Sequence, residues 1–217
     1  MPYAFSTKVD GAGNPVEAAH INDLQTAIIE TSGRIIVPPD DSGFSWLNQG
    51  GSSVTTDAND DVVLTCPTGS VIRGRIKAIP STPYTITARL IPAMIVGGNS
   101  EAGLCFYDGT KVILWSGFTC FGGGGIRVAN WTNVSTFSAN VSQRNPTENY
   151  YVPMRWLRVT DDGTTLGFWC SDDGDHWVRY TTATRASFMT TPTHLGWFQN
   201  NQSGSNSDFY LHSWEET

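Results

Sequence analysis

From Phe44 onward the chain alternates apolar and polar residues in short runs separated by turn-forming residues, the period-two signature of half-buried strands. Leu166, Phe168 and Cys170 fall on one face of such a run, with Gly167, Trp169 and Ser171 on the other. Leu157 and Val159 likewise alternate with Trp156, Arg158 and Thr160. The pattern predicts strands at 44–48, 61–66, 71–79, 83–91, 102–107, 111–117, 125–132, 150–160, 164–171, 176–181, 194–200 and 207–214. Asp-Gly pairs at 108–109 and 162–163 predict hairpins, and "CSDDGDHWVRY" predicts a third tight turn around Gly174. Such spacing predicts a mainly β chain, with an antiparallel β-sandwich over residues 44–217.

The periodicity differs before that point. Asn14 is suited to cap a helix that Pro15 opens, Ile21, Leu24 and Ile28 recur at helical spacing, and Gly33 closes the run. A helix over about 15–31 follows, within an N-terminal segment of residues 1–33. So short a helix is marginal alone in water and needs a partner surface. Its narrow stripe suits a coiled-coil seam, so Ile21, Leu24 and Ile28 are expected to meet copies of themselves about an axis. Residues 34–43, with Pro38-Pro39 and an Asp-Asp-Ser-Gly turn, read as a linker.

Composition narrows the partners. Net charge is −7 and charged residues make up only 15%. A nucleic-acid binder needs a basic footprint, and anionic membranes need one too, so neither is an expected partner. No apolar run approaches a membrane span, and the N-terminus has no signal-peptide pattern. Cys66, Cys105, Cys120 and Cys170 lie far apart without a Cys-x-x-Cys pair, and read as reduced, buried thiols. The Asn-x-Ser/Thr triplets at Asn130, Asn133, Asn140 and Asn201 read as chance matches in a chain rich in Ser and Thr.

Longer stretches carry a resemblance. "PYTITARLIP…EAGLCFYDGTKVILW", "RWLRVTDDGTTLGFWCSDDGDHWVRY" and "HLGWFQNNQSGSNSDFYLHSW" together resemble the concanavalin A-like lectin/glucanase jelly roll over roughly residues 44–214. "HINDLQTAI" is similar to a helix recurrent near the start of bacteriophage fibre, baseplate and head-decoration proteins. The pairing implies a virion structural protein, made in the host cytoplasm, a homotrimer attached to other virion proteins through its N-terminal segment. It further implies a tail, baseplate or head fibre whose lectin-like domain recognises host-surface carbohydrate. A decoration protein without ligand is the alternative, and a glycan-active enzyme a more distant one.

The candidate chemistry points to binding rather than catalysis. Glycoside hydrolysis needs two carboxylates flanking the bond, which glucanases of this fold place in a Glu-x-Asp-x-x-Glu run. Here Glu101, Glu148, Glu215 and Glu216 are scattered, so no catalytic residue and no enzyme is expected. "SDDGDHW" lacks one residue of a sialidase Asp-box, no Gly-x-Ser-x-Gly occurs, and "FGGGGIR", starting at Phe121, lacks a phosphate-gripping Lys-Ser/Thr. Those glycines instead suit a bulge or a close backbone approach. His20, His176, His194 and His212 stand apart from any zinc spacing. No cofactor is expected. The one candidate metal is calcium at Asp57, Asn59 and Asp61, although Val62 stands where a calcium loop needs glycine. Sugars stack on aromatic faces while amides fix their hydroxyls. Trp115, Trp131, Trp169 and Trp197 supply rings, and Asn130, Asn133, Asn200 and Asn201 amides, with Trp131, Trp197 and the four asparagines forming the expected carbohydrate site.

Overall fold

The computed structural model describes residues 36–92, 98–119, 125–144 and 154–217. The expected helix and its stripe of Ile21, Leu24 and Ile28 lie outside the described residues, as does Cys120. Apart from a single 3-10 turn at Asp41–Gly43, the regular elements among the described residues are strands. In chain order these are β1 (Ser45–Leu47), β2 (Ser53–Thr56), β3 (Val62–Cys66), β4 (Ile72–Ala78) and β5 (Tyr84–Pro92). There follow β6 (Glu101–Tyr107), β7 (Val112–Thr119), β8 (Gly125–Asn133) and β9 (Thr136–Arg144). The last are β10 (Trp156–Asp161), β11 (Thr165–Ser171), β12 (Val178–Thr184), β13 (His194–Asn200) and β14 (Ser207–Glu216).

Two antiparallel sheets of seven strands form a sandwich. The first runs β1-β4-β13-β6-β7-β8-β9 and the second β12-β11-β10-β5-β14-β3-β2. The expected strands agree with the observed ones to within a few residues over the described positions, β2 and β9 excepted. Both of those are edge strands. They are held by backbone pairing with little burial, so they carry almost no apolar alternation for a sequence pattern to reveal.

The expected turns form. Gly109 and Gly163 adopt φ of 101° and 91°, and Asp162 Oδ1 accepts the amides of Thr164 and Thr165 at 2.8 and 2.7 Å. Gly125 marks the bulge between β7 and β8, where a Cβ would meet the carbonyl oxygen of Arg144 at 2.3 Å. The expectation of a close backbone approach there holds.

The main core lies between the sheets. Leu104, Phe106, Ile113, Trp115, Val128 and Trp197 from the first pack on Leu64, Ile86, Leu90, Leu157, Phe168 and Phe209 from the second. A second apolar cluster occupies the opposite face of the first sheet: Leu47, Ile72, Ile76, Cys105, Val112, Leu114, Ala129, Trp131 and Phe198. The tip of the β8–β9 hairpin meets the start of β4, where the Ile72 amide donates to the Val134 carbonyl at 2.8 Å. With both faces buried, β6 and β7 are apolar almost throughout rather than alternating. The second sheet instead turns one face to solvent.

Candidate carbohydrate-binding surface

The two loops expected to form a sugar site do come together, because Ile72 bonds Val134 and pairs with Asn200. Their side chains, however, are occupied or buried. Trp197 is 0% exposed, with its ring 5.8 Å from that of Phe209 in the main core. Trp131 is 4% exposed and packs edge-on against Phe137. Trp115 is fully buried, stacked on Tyr180. None of these three rings can meet a sugar face. Asn201 is consumed by its own turn: its amide donates to the carbonyls of Cys66 and Ser205 at 2.9 and 2.8 Å, and its oxygen accepts from the Ser203 amide. Asn133 caps a turn through the amide of Ser135. Asn130 is half-buried, and Asn200 is fully buried with neither side-chain polar atom bonded. These placements correct the sequence expectation for Trp131, Trp197, Asn200 and Asn201, which are buried, while Asn133 stays exposed with its oxygen committed to its turn and Asn130 is half-buried.

The calcium candidate resolves similarly. Asp57 Oδ1 accepts the amides of Asn59 and Asp61 at 2.8 and 3.0 Å, while the Asp61 carboxylate turns away to His212. The Asn59 side-chain amide turns its N–H to Asp57 Oδ2 at 3.5 Å, so the three side-chain oxygens do not converge, and no group of three or more His, Cys, Asp or Glu side chains able to hold a metal is present among the described residues.

An aromatic surface does exist, on the solvent face of the second sheet. Strand alternation places Trp156 and Arg158 of β10, Trp169 of β11 and Arg179 of β12 on that side, with Thr87 and Arg89 of β5 beside them. Register sets Trp169 between Arg158 and Arg179. The Trp169 indole lies down along the sheet because its neighbour is glycine: a Cβ on Gly167 would stand 2.9 Å from the indole nitrogen. The ring is half-buried and lies under the Arg179 guanidinium. Arg179 places its guanidinium 5.6 Å from the Trp169 ring centroid.

Trp177 extends this surface from the β11–β12 turn. The Ser171 hydroxyl donates to Asp173 Oδ1, which also accepts the amides of Asp175 and His176 at 2.8 and 2.9 Å. These amide bonds, the His176 one foremost, hold the Asp173 carboxyl well below its ordinary range, and the bond back to Asp173 raises the His176 imidazole. The Gly174 carbonyl then accepts the Trp177 indole N–H at 2.8 Å, fixing the ring. Arg158, anchored by its Nε on the Thr87 hydroxyl at 3.0 Å, lies 3.7 Å from the Trp177 ring centroid. The same turn lays Gly174 across Trp156, which is 4% exposed and serves as a floor. Trp169 and Trp177 are therefore the two partly exposed rings of the face. Trp169 was within reach of sequence reasoning, since Trp156, Arg158 and Thr160 share one face of their strand and Trp169 one face of the next. The signal was the alternation itself.

No protein-family model matches the sequence, and no curated protein does. Solved structures do match. A functionally unknown protein from Saccharomyces cerevisiae is 18% identical, with a TM-score of 0.59 over 82% of this chain and 98% of its own. The GH43 protein BlXynB from Bacillus licheniformis is 15% identical, with a TM-score of 0.56 over 82% of this chain and 35% of its own. A xylan β-1,4-xylosidase from Bacillus halodurans is 15% identical with a TM-score of 0.53, and again 35% of that chain is covered. The chain thus spans about a third of the length of these glycoside hydrolases. The likeness is one of fold. It nonetheless overturns the expectation that the chain is not an enzyme. That expectation rested on missing sequence patterns (the carboxylate run, the full Asp-box, Gly-x-Ser-x-Gly and the phosphate loop), and glycoside hydrolases of the GH43 type contain a sandwich of this fold.

Proposed function

We propose that the chain is a carbohydrate-recognising β-sandwich of the concanavalin A-like jelly-roll type, and that Trp169 and Trp177 form its sugar platform. The observation that carries this reading is the Trp169 indole laid across Gly167, a geometry that offers an apolar ring face to a pyranose. The strand order supports the jelly roll, since the chain passes repeatedly between the two sheets. The matched xylosidase acts, by its name, on a β-linked pentose polymer, which makes xylo-oligosaccharides the first ligands to try. Placement on a phage particle and attachment through the N-terminal segment are part of the same proposal, supported by the resemblance of "HINDLQTAI" to a helix recurrent in phage fibre, baseplate and head-decoration proteins, and homotrimer formation by the apolar stripe of residues 15–31.

Isothermal titration with xylo-oligosaccharides, repeated on a Trp169→Ala variant, tests the reading, with reducing-end release followed in parallel. Binding that depends on Trp169 supports it. Binding unaffected by Trp169→Ala moves the site elsewhere.

A further inference from the structure

We propose that the free edge of β2 receives an extended segment of a partner protein as an added strand. The proposal stands apart from the carbohydrate reading, since β12 and Trp177 border one side of the second sheet and β2 the other. Edge strands expose unpaired backbone groups, and folds commonly disarm them with bulges, charges or prolines. Bulges interrupt the ladders of β9 with β8 and of β12 with β11, and β1 has only three residues. β2, by contrast, pairs with β3 in regular register, and its Ser53, Val54, Thr55 and Thr56 include no charge and no proline.

Register fixes which groups are on offer. The Asp57 amide donates to the Asp61 carbonyl at 3.0 Å, which makes these two a bonded pair. Antiparallel alternation then bonds Thr55 to Val63 and turns the N–H and C=O of Val54 and Thr56 away from β3. Among the described residues no strand meets them on that side. A hollow of about 230 Å³ lies beside them, lined by Asp41, Val54, Thr55, Thr56 and Val62. Val54 packs against the main core and Thr56 stands opposite the core residue Val62, so both side chains point inward. Residues of an added strand opposite Val54 and Thr56 would send their side chains the same way, into the hollow.

Length and charge identify the occupant. Four residues of ladder fall far short of the ~800 Å² per partner that holds a stable dimer, and suit a short extended segment. Around the hollow, Asp41 is bonded by Arg75, the Asp61 carboxylate by His212, and Asp40 lies near Lys77, itself paired with Glu216. Asp57 and Asp60 leave negative charge at the end of β2, Asp57 being bonded to N–H groups of its own turn. A second copy, with its own net charge of −7, would bring like charges together there. A segment of β-branched residues flanked by lysine or arginine meets both the hollow and the charge.

The probe is the capped peptide Lys-Val-Thr-Val-Lys, whose order is the same from either end, titrated calorimetrically into the full chain. A twin with both valines N-methylated should bind at least about tenfold weaker, because it lacks the N–H groups that the ladder needs. A twin with glutamates in place of lysines should also bind more weakly, with the difference shrinking as salt rises. Thr56→Pro removes an N–H that β3 does not use, so the circular dichroism should stay unchanged while probe affinity falls at least about fivefold. The N-methyl comparison needs no variant and decides the matter even where Thr56→Pro disturbs the fold. Absence of saturable binding up to millimolar peptide, or equal affinity of the probe and its N-methyl twin, would overturn the inference. A mass that rises with protein concentration in the parent but not in Thr56→Pro would also overturn it, by giving the edge to a second copy.

Discussion

Arg127 grips Glu101 with two charge-assisted hydrogen bonds, Nη2 to Oε1 at 2.6 Å and Nε to Oε2 at 2.9 Å, and no part of Glu101 reaches water. The Ser116 hydroxyl donates a third bond, at 2.6 Å, to Oε2. The pair ties β6 to β8 across β7, and each charge is tolerable only because of the other. Replacing Arg127 by Met leaves a buried carboxylate uncompensated and should cost about 3–5 kcal/mol in urea unfolding. The double variant Glu101→Gln, Arg127→Met should recover much of that loss. A double variant no more stable than the single one would show that packing, not charge, dominates there.

The sugar platform depends on a glycine as much as on a tryptophan. A side chain on Gly167 would collide with the Thr160 hydroxyl and the Trp169 indole nitrogen. Gly167→Val is therefore expected to lift the ring off the sheet and weaken glycan binding as Trp169→Ala does. Titration checks binding, and tryptophan fluorescence reports the ring's altered surroundings. Retained affinity in Gly167→Val would show that the flat ring is not needed.

Cys66, Cys105 and Cys170 are free and buried in the structure. Burial raises all three thiols, Cys66 to about 11 against an ordinary 9.0. Between those two pH values the unfolded chain has released a proton that the folded chain still holds. Stability is therefore complete below about pH 9 and falls as pH rises through the window, by up to about 1.4 kcal/mol per pH unit for each such group. The urea midpoint should decline from pH 9 to 11. Alkylation of the native protein at pH 8 should be slow at these three positions and rapid in urea. Fast native modification would contradict their burial.

The assembly proposal has its own test. Replacing Ile21 and Leu24 together by Asp places charges where self-association would need an apolar seam. Light scattering should then report a lower mass while the β-type circular dichroism is retained. An unchanged oligomer would remove the seam.

What the sequence determined by itself is local. Alternation and Asp-Gly pairs are consequences of backbone geometry acting over a few residues, so β10, β11, their hairpin and the shared face of Trp156 and Arg158 could be read directly. Which faces would be covered is a question about distant partners, and only the tertiary structure decided it. The central strands of the first sheet are buried on both sides, which removes Trp131 and Trp197 from any sugar surface, while the second sheet leaves Trp169 half-buried. The polar edge strands β2 and β9 exist because neighbours remote from their own apolar content supply the hydrogen bonds. Glu101 and Arg127, on strands that are not neighbours in the sheet, meet only after β6, β7 and β8 align. A strand records which of its residues share a side; what lies against that side depends on how the sheets pack.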